Sequence, residues 1–451
     1  MTLHAARDRF AAEPAVYDLL GIGFGPSNMA LAIALDEAAA QARPGLACRF
    51  VERSPGFVWH GDMLLPGSDM QISFLKDLVS LRDPTSRFSF LGYLHAKGRL
   101  EDFINQKTFF PSRIEFNDYL TWAAGHFADR VAYGETVTAV EPERQGGTVT
   151  TLRVRSHDAA GRERLRRTRS LSIAMGGRPK VPAVFAGLAE DPRVFHSSRY
   201  LGTVGALALP DRHETRIAVV GAGQSAAEVF VDLAGRFDHA RVDLVTRSLA
   251  LKPSDDTPFV NEIFNTGFTD LIYRQDPAWR GEFLREFHAT NYAVVDGDLI
   301  EQVFGLLYQQ KVRGDDRLGY LRGRTVDQAS ADRDGVRLTL APMPPHLQGD
   351  AVETRRYDAV VLATGYRRSL PADLLSELVF DGEVPTVDRR YRLRTRPDVA
   401  TPVFVQGCSE GTHGLSDTLL SVVSVRSAEI AEALLAALPE RAPVAAEDRA
   451  S

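Results

Sequence analysis

Apolar positions along the chain follow two spacings. Short apolar runs bounded by turn residues mark buried strands: Tyr17 to Leu20, Arg49 to Glu52, Arg216 to Val220, Arg241 to Thr246, Asp358 to Leu362 and Pro402 to Gln406. Apolar residues at helical spacing mark Ala30 to Leu35, Ile114 to Phe127 (Phe116, Leu120, Trp122, Ala123, Phe127) and Ala227 to Leu233. Trp279 to Tyr308 reads as mostly helical, and a last helix reaches about Leu438. Val131 to Arg169 reads as antiparallel strands, with the arginines from Arg153 to Arg169 on a solvated hairpin face. Ser170 to Pro182 is a strand running into a Gly-Gly turn. Ala38 to Gly45 reads as a small-residue linker, Asp255 to Asn265 as a loop, and the Ala-, Pro- and charge-rich tail beyond Pro439 as disordered. Phe57 to Phe110 is dense in aromatic and apolar residues but broken by Pro66, Gly67, Pro84 and Gly92. Within it, Met70 to Leu78 sets one lysine, Lys76, in an otherwise apolar stretch.

Twice a strand is joined to its helix by a glycine turn. The first is Gly21-Ile22-Gly23-Phe24-Gly25-Pro26, the second Gly221-Ala222-Gly223-Gln224-Ser225-Ala226. Strand, glycine turn and helix in that order give such a stretch its physical meaning. The first glycine permits the turn, and the second brings the backbone within contact distance of a pyrophosphate. The helix N-terminus then offers N–H groups and its positive dipole to the phosphates. Pro26 stands where a third glycine is usual, and a first-turn position accommodates it because the missing N–H costs nothing there. Glu52, ending the second strand of the first unit, is placed to hold a ribose. In the second unit Arg247 stands there instead, suited to a 2′-phosphate. FAD is expected at the first turn and NADPH at the second.

An apolar strand running late into Ala363-Thr364-Gly365 implies that the FAD domain is discontinuous, with the NADPH domain inserted in it. The expected fold is α/β, with two Rossmann-like dinucleotide-binding domains. Residues 1–200 are read as the first part of the FAD domain, 201–350 as the NADPH domain and 351–451 as the rest of the FAD domain.

Composition narrows the chemistry. At 451 residues, 44% apolar and 25% charged, the chain has the make-up of an ordinary soluble protein of two or three domains. A net charge of −6 argues against nucleic acid as the main partner and against a polybasic membrane anchor. Met1 to Val16 carries Arg7, Asp8, Arg9 and Glu13 without an apolar centre and does not read as a secretory signal. No run approaches the roughly 20 apolar residues of a membrane span. The two cysteines, Cys48 and Cys408, form neither a C-x-x-C pair nor a cluster motif, so a reduced, cytoplasmic protein is expected. Eleven histidines lie without metal-ligand spacing, and no metal is expected. Two dinucleotides mean hydride transfer to a flavin, which carries the difficult step. Without a cysteine pair or an iron–sulfur or haem motif, the electrons go to oxygen, a quinone or an electron-transfer partner, and oxygen is the reading adopted.

Longer stretches carry a resemblance. They are GIGFGPSN (Gly21–Asn28), MQISFLKDLVSLRDPTSRFSF (Met70–Phe90), FPSRIEFNDYL (Phe110–Leu120), FHSSRYL (Phe195–Leu201) and GAGQSAAEVF (Gly221–Phe230). DDTPFVNEIFN (Asp255–Asn265), TNYAVVD (Thr290–Asp296), ATGY (Ala363–Tyr366) and THGLSDTLLS (Thr412–Ser421) follow in order. From about Tyr17 to Glu429 the chain resembles the siderophore-pathway N-hydroxylating flavin monooxygenases, and most of all their L-ornithine N5-hydroxylating branch. The glycine turns are shared by many flavoproteins, whereas the later stretches are specific. The resemblance implies that NADPH reduces FAD, that O2 adds to form a C4a-hydroperoxide protected by bound NADP+, and that the neutral side-chain amine of L-ornithine takes the distal oxygen. It also implies a tetramer and a substrate-binding insert at about 255–310.

Site roles follow from the same resemblance. Lys76 pairs with the substrate α-carboxylate, and Asn261 and Asn291 hold the amino-acid head group, Asn291 being the one candidate for a catalytic part. Gln71 and Ser421 line the flavin and substrate pocket, and Trp59 and His60 flank the flavin. Phe74, Leu75, Leu419 and Leu420 form a wall that keeps water from the reduced flavin. Gln224, Ser225 and Arg247 hold NADPH. Taken as residues alone, Lys76 reads as a snorkelling lysine, Asn261 and Asn291 as turn residues, and Trp59-His60 as a packed pair. The substrate amine, with an ordinary pKa of about 10.4, must lose a proton to an acceptor the sequence does not name. L-Lysine or a diamine under the same chemistry is the alternative, since one methylene is worth only about 1–3 kcal/mol. Lys76 counts against a diamine, which has no carboxylate. A non-catalytic flavin-binding redox sensor is the alternative of another class. A sulfide- or ketone-oxidising flavoprotein would show F-x-G-x-x-x-H, which Phe185-Ala186-Gly187 and the distant His196 do not form.

Overall fold

The structure, a computed structural model, describes residues 15–343, 351–378, 380–382 and 385–439. The tail beyond Pro439, expected to be disordered, lies outside the described residues. The first sheet has five parallel strands in the order Val403–Val405, Leu171–Ile173, Leu19–Ile22, Cys48–Glu52, Val131–Tyr133. Leu19–Ile22 lies at its centre and is buried at every residue. Helices Pro26–Ala42 and Val423–Ala437 pack against each other, and Leu31, Ile33, Ile430 and Leu434 share one core with Leu19, Leu20 and Phe50. The first helix runs beyond Leu35 to Ala42, through the stretch read as a linker. Alanine is the best helix former, so an Ala-rich run continues a helix until something stops it.

Val131–Tyr133 is a further departure, because it joins the parallel sheet and the antiparallel set begins only at Glu135. That set comprises Glu135–Gln145, Thr148–Asp158 and Glu163–Thr168. Its arginines are paired across strands, Arg155 with Glu141 and Arg166 with Glu135, both at 2.7 Å. Arg166 is buried rather than solvated.

The second sheet is also five-stranded and parallel, in the order Leu318–Leu321, Arg241–Val245, Arg216–Val220, Ala359–Leu362, Val194–His196. Alternation along its strands divides them between two cores. Ile217, Val219, Ala359 and Val361 face helix Gln224–Arg236, while Ala218, Val360 and Leu362 face the antiparallel strands that carry Val336, Leu338 and Leu340. A strand covered on both faces is apolar throughout. This corrects the expected division of the chain. Ala359–Leu362, read as part of the first domain, pairs with Arg216–Val220, and Val194–His196, from within 1–200, pairs with it in turn. An all-apolar run records burial on two faces and says nothing about which sheet it joins.

The chain crosses between the units at Arg178–Pro179 and again at Tyr366–Arg367, and the two crossings pair antiparallel. Gly177 is required there, since a Cβ on it would lie 2.8 Å from the Cβ of Tyr366. The segment expected to be a loop at 255–265 holds helix Pro258–Asn261 and a 3-10 turn at Glu262–Phe264. With Phe268–Arg274 and Pro277–Phe287 it forms a small core of Ile263, Phe264, Ile272 and Phe283, to which Leu415 of the C-terminal part contributes.

Candidate active site

At the first glycine turn, helix Pro26–Ala42 starts with Gly25 as its N-cap, Pro26 in the first turn and no side-chain cap. Its first-turn N–H groups are therefore left for a ligand. A Cβ on Gly25 would meet nothing within 4 Å. One on Gly23 (φ +84°) would come 2.4 Å from the Ala174 carbonyl oxygen, and one on Gly21 2.2 Å from the Phe50 ring. Neighbouring chain leaves no room for a Cβ at Gly21 or Gly23, while the space at Gly25, in front of the helix, is open. Asn28, passed over in the sequence although it ends GIGFGPSN, pins this turn. Its Nδ2 donates to the carbonyl of Gly23 at 2.7 Å, and its Oδ1 accepts from Ser172 Oγ at 2.7 Å and Gln406 Nε2 at 3.1 Å. Glu52 accepts from the N–H groups of Phe24 at 2.9 Å and Ser54 at 2.8 Å. It braces the turn while each oxygen keeps capacity for a ribose hydroxyl. The Trp59 and His60 rings lie 4.7 Å apart, and His60 faces Tyr366 of the crossing at 6.3 Å.

At the second turn a Cβ on Gly221 would lie 2.2 Å from the Ala363 carbonyl oxygen, and Gly223 is the N-cap of helix Gln224–Arg236, again without a side-chain cap. Ser225 is the second residue of that helix and half-buried. The Gln224 amide is engaged within the protein: Oε1 accepts from the Asp296 N–H at 2.9 Å, and Nε2 donates to Glu228 Oε1 at 3.1 Å. Glu228 in turn takes a bidentate contact from Arg113 of the first unit, at 2.9 and 2.7 Å. Arg247 is exposed and makes no ion pair among the described residues. Its loop is held from Thr246 N to the Leu321 carbonyl at 3.0 Å and from Gly323 N to the Ser248 carbonyl at 3.1 Å.

The Lys76 segment is irregular and shaped by buried Asp77, which accepts from the N–H groups of Val79, Ser80 and Phe90 at 2.7–2.9 Å. Lys76 is half-buried, with its pKa lowered by burial, and has no carboxylate partner among the described residues. The expected apolar wall is not one surface. Phe74 packs into the aromatic core against Phe90 and Phe103, Leu75 is 40% exposed, Leu419 packs on the insert, and Leu420 on the first core. An apolar string of residues in a turn-rich segment points in several directions, which its composition does not reveal.

Gln71 Nε2 donates to Asp296 Oδ1 at 3.0 Å, joining the Met70–Leu78 segment to the insert. Tyr292, next to Asn291, donates to Glu410 at 2.6 Å and lies 3.0 Å from the Thr418 hydroxyl, joining the insert to the C-terminal loop. Asn261 turns its amide to the Asp256 carbonyl at 2.6 Å, within its own loop. Ser421 is buried at the loop's end. Buried Arg426, another residue the sequence reading missed, holds Asp417 of that loop at 3.1 Å and Ser27 of the first turn at 2.9 Å. The structure thus ties Gln71, Gln224, the Asn291 segment and the Leu419 loop together. Among the described residues it records no side-chain hydrogen bond or ion pair of Asn261 or Lys76 with them.

The model of the family described as L-lysine 6-monooxygenase/L-ornithine 5-monooxygenase matches residues 15–368. The L-ornithine N(5)-monooxygenase of Pseudomonas aeruginosa is 48% identical over 424 residues, covering 94% of each chain. The solved structure of ornithine hydroxylase (PvdA) from Pseudomonas aeruginosa, 48% identical, aligns with a TM-score of 0.88 over 94% of this chain and 100% of that one. That of the Kutzneria sp. 744 ornithine N-hydroxylase, described as KtzI-FADred-NADP+-L-orn, is 37% identical, with a TM-score of 0.85 over 93% of this chain and 99% of that one. With two glycine-turn units, an insert tied to both and relatives of this closeness, the chain belongs to the L-lysine 6-monooxygenase/L-ornithine 5-monooxygenase family.

Proposed function

We propose that this protein is an NADPH- and O2-dependent FAD monooxygenase that hydroxylates the side-chain amine of L-ornithine, giving N5-hydroxy-L-ornithine for a hydroxamate siderophore. L-Ornithine, NADPH, H+ and O2 give the hydroxylamine, NADP+ and water. Bound FAD, reduced by NADPH, supplies the oxygen-activating chemistry. The chain's own residues bind and orient. The open space at Gly25 and the uncapped helix behind it fit the FAD pyrophosphate, with Glu52 at the ribose. Arg247, exposed on a pinned loop, takes the NADPH 2′-phosphate, and Ser225 lies at that cofactor's helix start. Asn261 and Asn291 hold the substrate head group, while Gln71, Ser421 and Leu419 line the pocket and Trp59 and His60 lie on the flavin side. The carrying observation for an amino-acid substrate is Lys76, a half-buried cation with no carboxylate partner among the described residues. A carboxylate brought by the substrate forms a charge-assisted hydrogen bond there.

In this reading residues 15–177 and 368–439 form the FAD unit and 178–367 the NADPH unit, with 255–310 the substrate-binding insert. The enzyme works in the cytoplasm as a homo-oligomer, a tetramer by its resemblance. NADPH oxidation measured with L-ornithine, L-lysine and putrescine, together with a hydroxylamine assay, tests the function. Hydroxylamine formed from ornithine in strong preference is expected. Equal yields from lysine or putrescine would overturn the substrate, and flavin binding without NADPH oxidation would favour the sensor.

A further inference from the structure

Helix Gly297–Arg313 begins after Asp296, whose backbone (φ −60°, ψ 144°) is that of an N-cap residue, yet its side chain caps nothing in that helix. An aspartate in this place ordinarily accepts from a first-turn N–H. Here Oδ1 accepts instead from Gln71 Nε2 at 3.0 Å and from Ser254 Oγ at 3.1 Å. The Asp296 N–H donates to Gln224 Oε1 at 2.9 Å, and Gln224 continues to Glu228, which holds Arg113. One residue therefore collects four segments: the flavin-side stretch with Gln71 and Lys76, the entry to the insert at Ser254, the turn after Asn291 within it, and the first helical residue of the second glycine turn.

We infer that Asp296 is a positioning residue for the reaction, holding the nicotinamide turn, the Asn291 segment and the flavin-side segment in one register. The inference rests on the site reading proposed above. Small displacements of reacting groups cost large factors in rate. In the coupled reaction one amine, one NADPH, one H+ and one O2 give one hydroxylamine, one NADP+ and one water. With the segments out of register the same NADPH, H+ and O2 give NADP+ and hydrogen peroxide, and the amine is not oxidised.

The test uses FAD-loaded enzyme carrying Asp296→Ser, Asp296→Asn or Asp296→Ala, with Lys76→Met alongside. Serine caps a helix as well as aspartate does but is too short to keep both the Gln71 and Ser254 contacts. Asp296→Ser is expected to keep its Tm and its FAD. Its hydroxylamine yield per NADPH should fall about threefold or more, with peroxide rising to match and KM for NADPH rising by a similar factor. Asp296→Asn retains the accepting oxygen and should restore most of the coupling, and Asp296→Ala should resemble the serine variant. If Asp296→Ala fails to fold, the serine and asparagine variants carry the comparison. Full coupling in Asp296→Ser would reduce Asp296 to a helix start and overturn the inference. Lys76→Met reports on the underlying reading by itself: a raised ornithine KM there, beside a fully coupled Asp296→Ser, rejects only the role of Asp296.

Discussion

Gly23 and Gly25 stand two residues apart in one turn and answer to different constraints. Gly23 is held at φ +84° with the Ala174 carbonyl 2.4 Å from where a Cβ would be, whereas the space at Gly25 is open. Gly23→Ala should destabilise the protein by about 1–3 kcal/mol even without cofactor, as strained backbone does. Gly25→Ser should leave apoprotein stability unchanged or slightly raised, because serine caps the helix. It should nevertheless weaken FAD by about 1.5 kcal/mol or more, since the hydroxyl competes with the phosphate for the same N–H groups. Urea midpoints of the apoproteins and FAD titrations separate the two, and equal losses in both variants would return Gly25 to a purely structural role. Lys76→Met keeps most of the stem and removes the charge. FAD loading and the rate of flavin reduction by NADPH should persist, and ornithine binding should weaken by about 1.5–3 kcal/mol, the range for a charged hydrogen bond. Lys76 is only half-buried, so the larger loss of a fully buried pair is not expected. An unchanged ornithine KM would return Lys76 to a snorkelling side chain.

Between elements, one buried link is the bidentate pair of Arg113, in helix Arg113–Gly125, with Glu228, in helix Gln224–Arg236; their side chains are 11% and 5% exposed. Removing one partner leaves the other charge buried. Glu228→Ala should cost about 3–5 kcal/mol, whereas Arg113→Met with Glu228→Leu should recover most of that loss. Chemical denaturation of the three proteins checks it, and a double variant as unstable as the single one would contradict the account. Both lie in stretches that carry the resemblance, Phe110–Leu120 and Gly221–Phe230, but nothing in the sequence pairs them, since each stands on a helix whose apolar spacing is complete without it. The central strands and both glycine turns were legible because two-sided burial and a tight turn each leave a composition of their own. Sheet membership was not: Ala359–Leu362 and Val194–His196 had the pattern of buried strands but no mark of their partners. The same holds for the site. Gln71, Lys76 and Asn291 lay in the quoted stretches, as did Asn28 and Asp296, but Asn28, Asp296 and Arg426 act through distant partners that only the folded chain supplies.

For the molecule as a whole, buried neutral histidines contribute to a fall in stability in acid. His413 is 1% exposed, its ring stacked on Tyr391 with centroids 4.2 Å apart. Burial pushes its pKa from 6.5 down to about 4, against the opposing pull of Asp417. The unfolded chain therefore takes up a proton near pH 6.5 that the folded chain refuses until about pH 4. The contribution is present in full above pH 6.5 and is lost as pH falls toward 4, amounting to about 2 kcal/mol between pH 7 and pH 5. His413→Gln should flatten the fall in urea midpoint over that range. His196 is displaced in the same direction by burial, so part of the slope should remain. A variant with an unaltered slope would place the acid sensitivity elsewhere.

The antiparallel pairing of Arg178–Pro179 with Tyr366–Arg367 sets the entry and exit of the second unit side by side, about one strand spacing, ~5 Å, apart. To the first sheet, everything between those crossings counts as a single loop, and the entropy of closing a loop grows only slowly with its length. A lineage can thus acquire, exchange or lose such a cassette without rethreading the sheet that receives it. Its side chains make the exchange less free than its topology does. A replacement unit must present a carboxylate to Arg113, or it leaves a charge buried without its counterpart, and an acceptor to Gln71, or it loses a hydrogen bond. Compatibility in a chimaera therefore depends on side-chain contacts such as these and the Tyr292–Glu410 hydrogen bond, well away from the seam where the chains are cut.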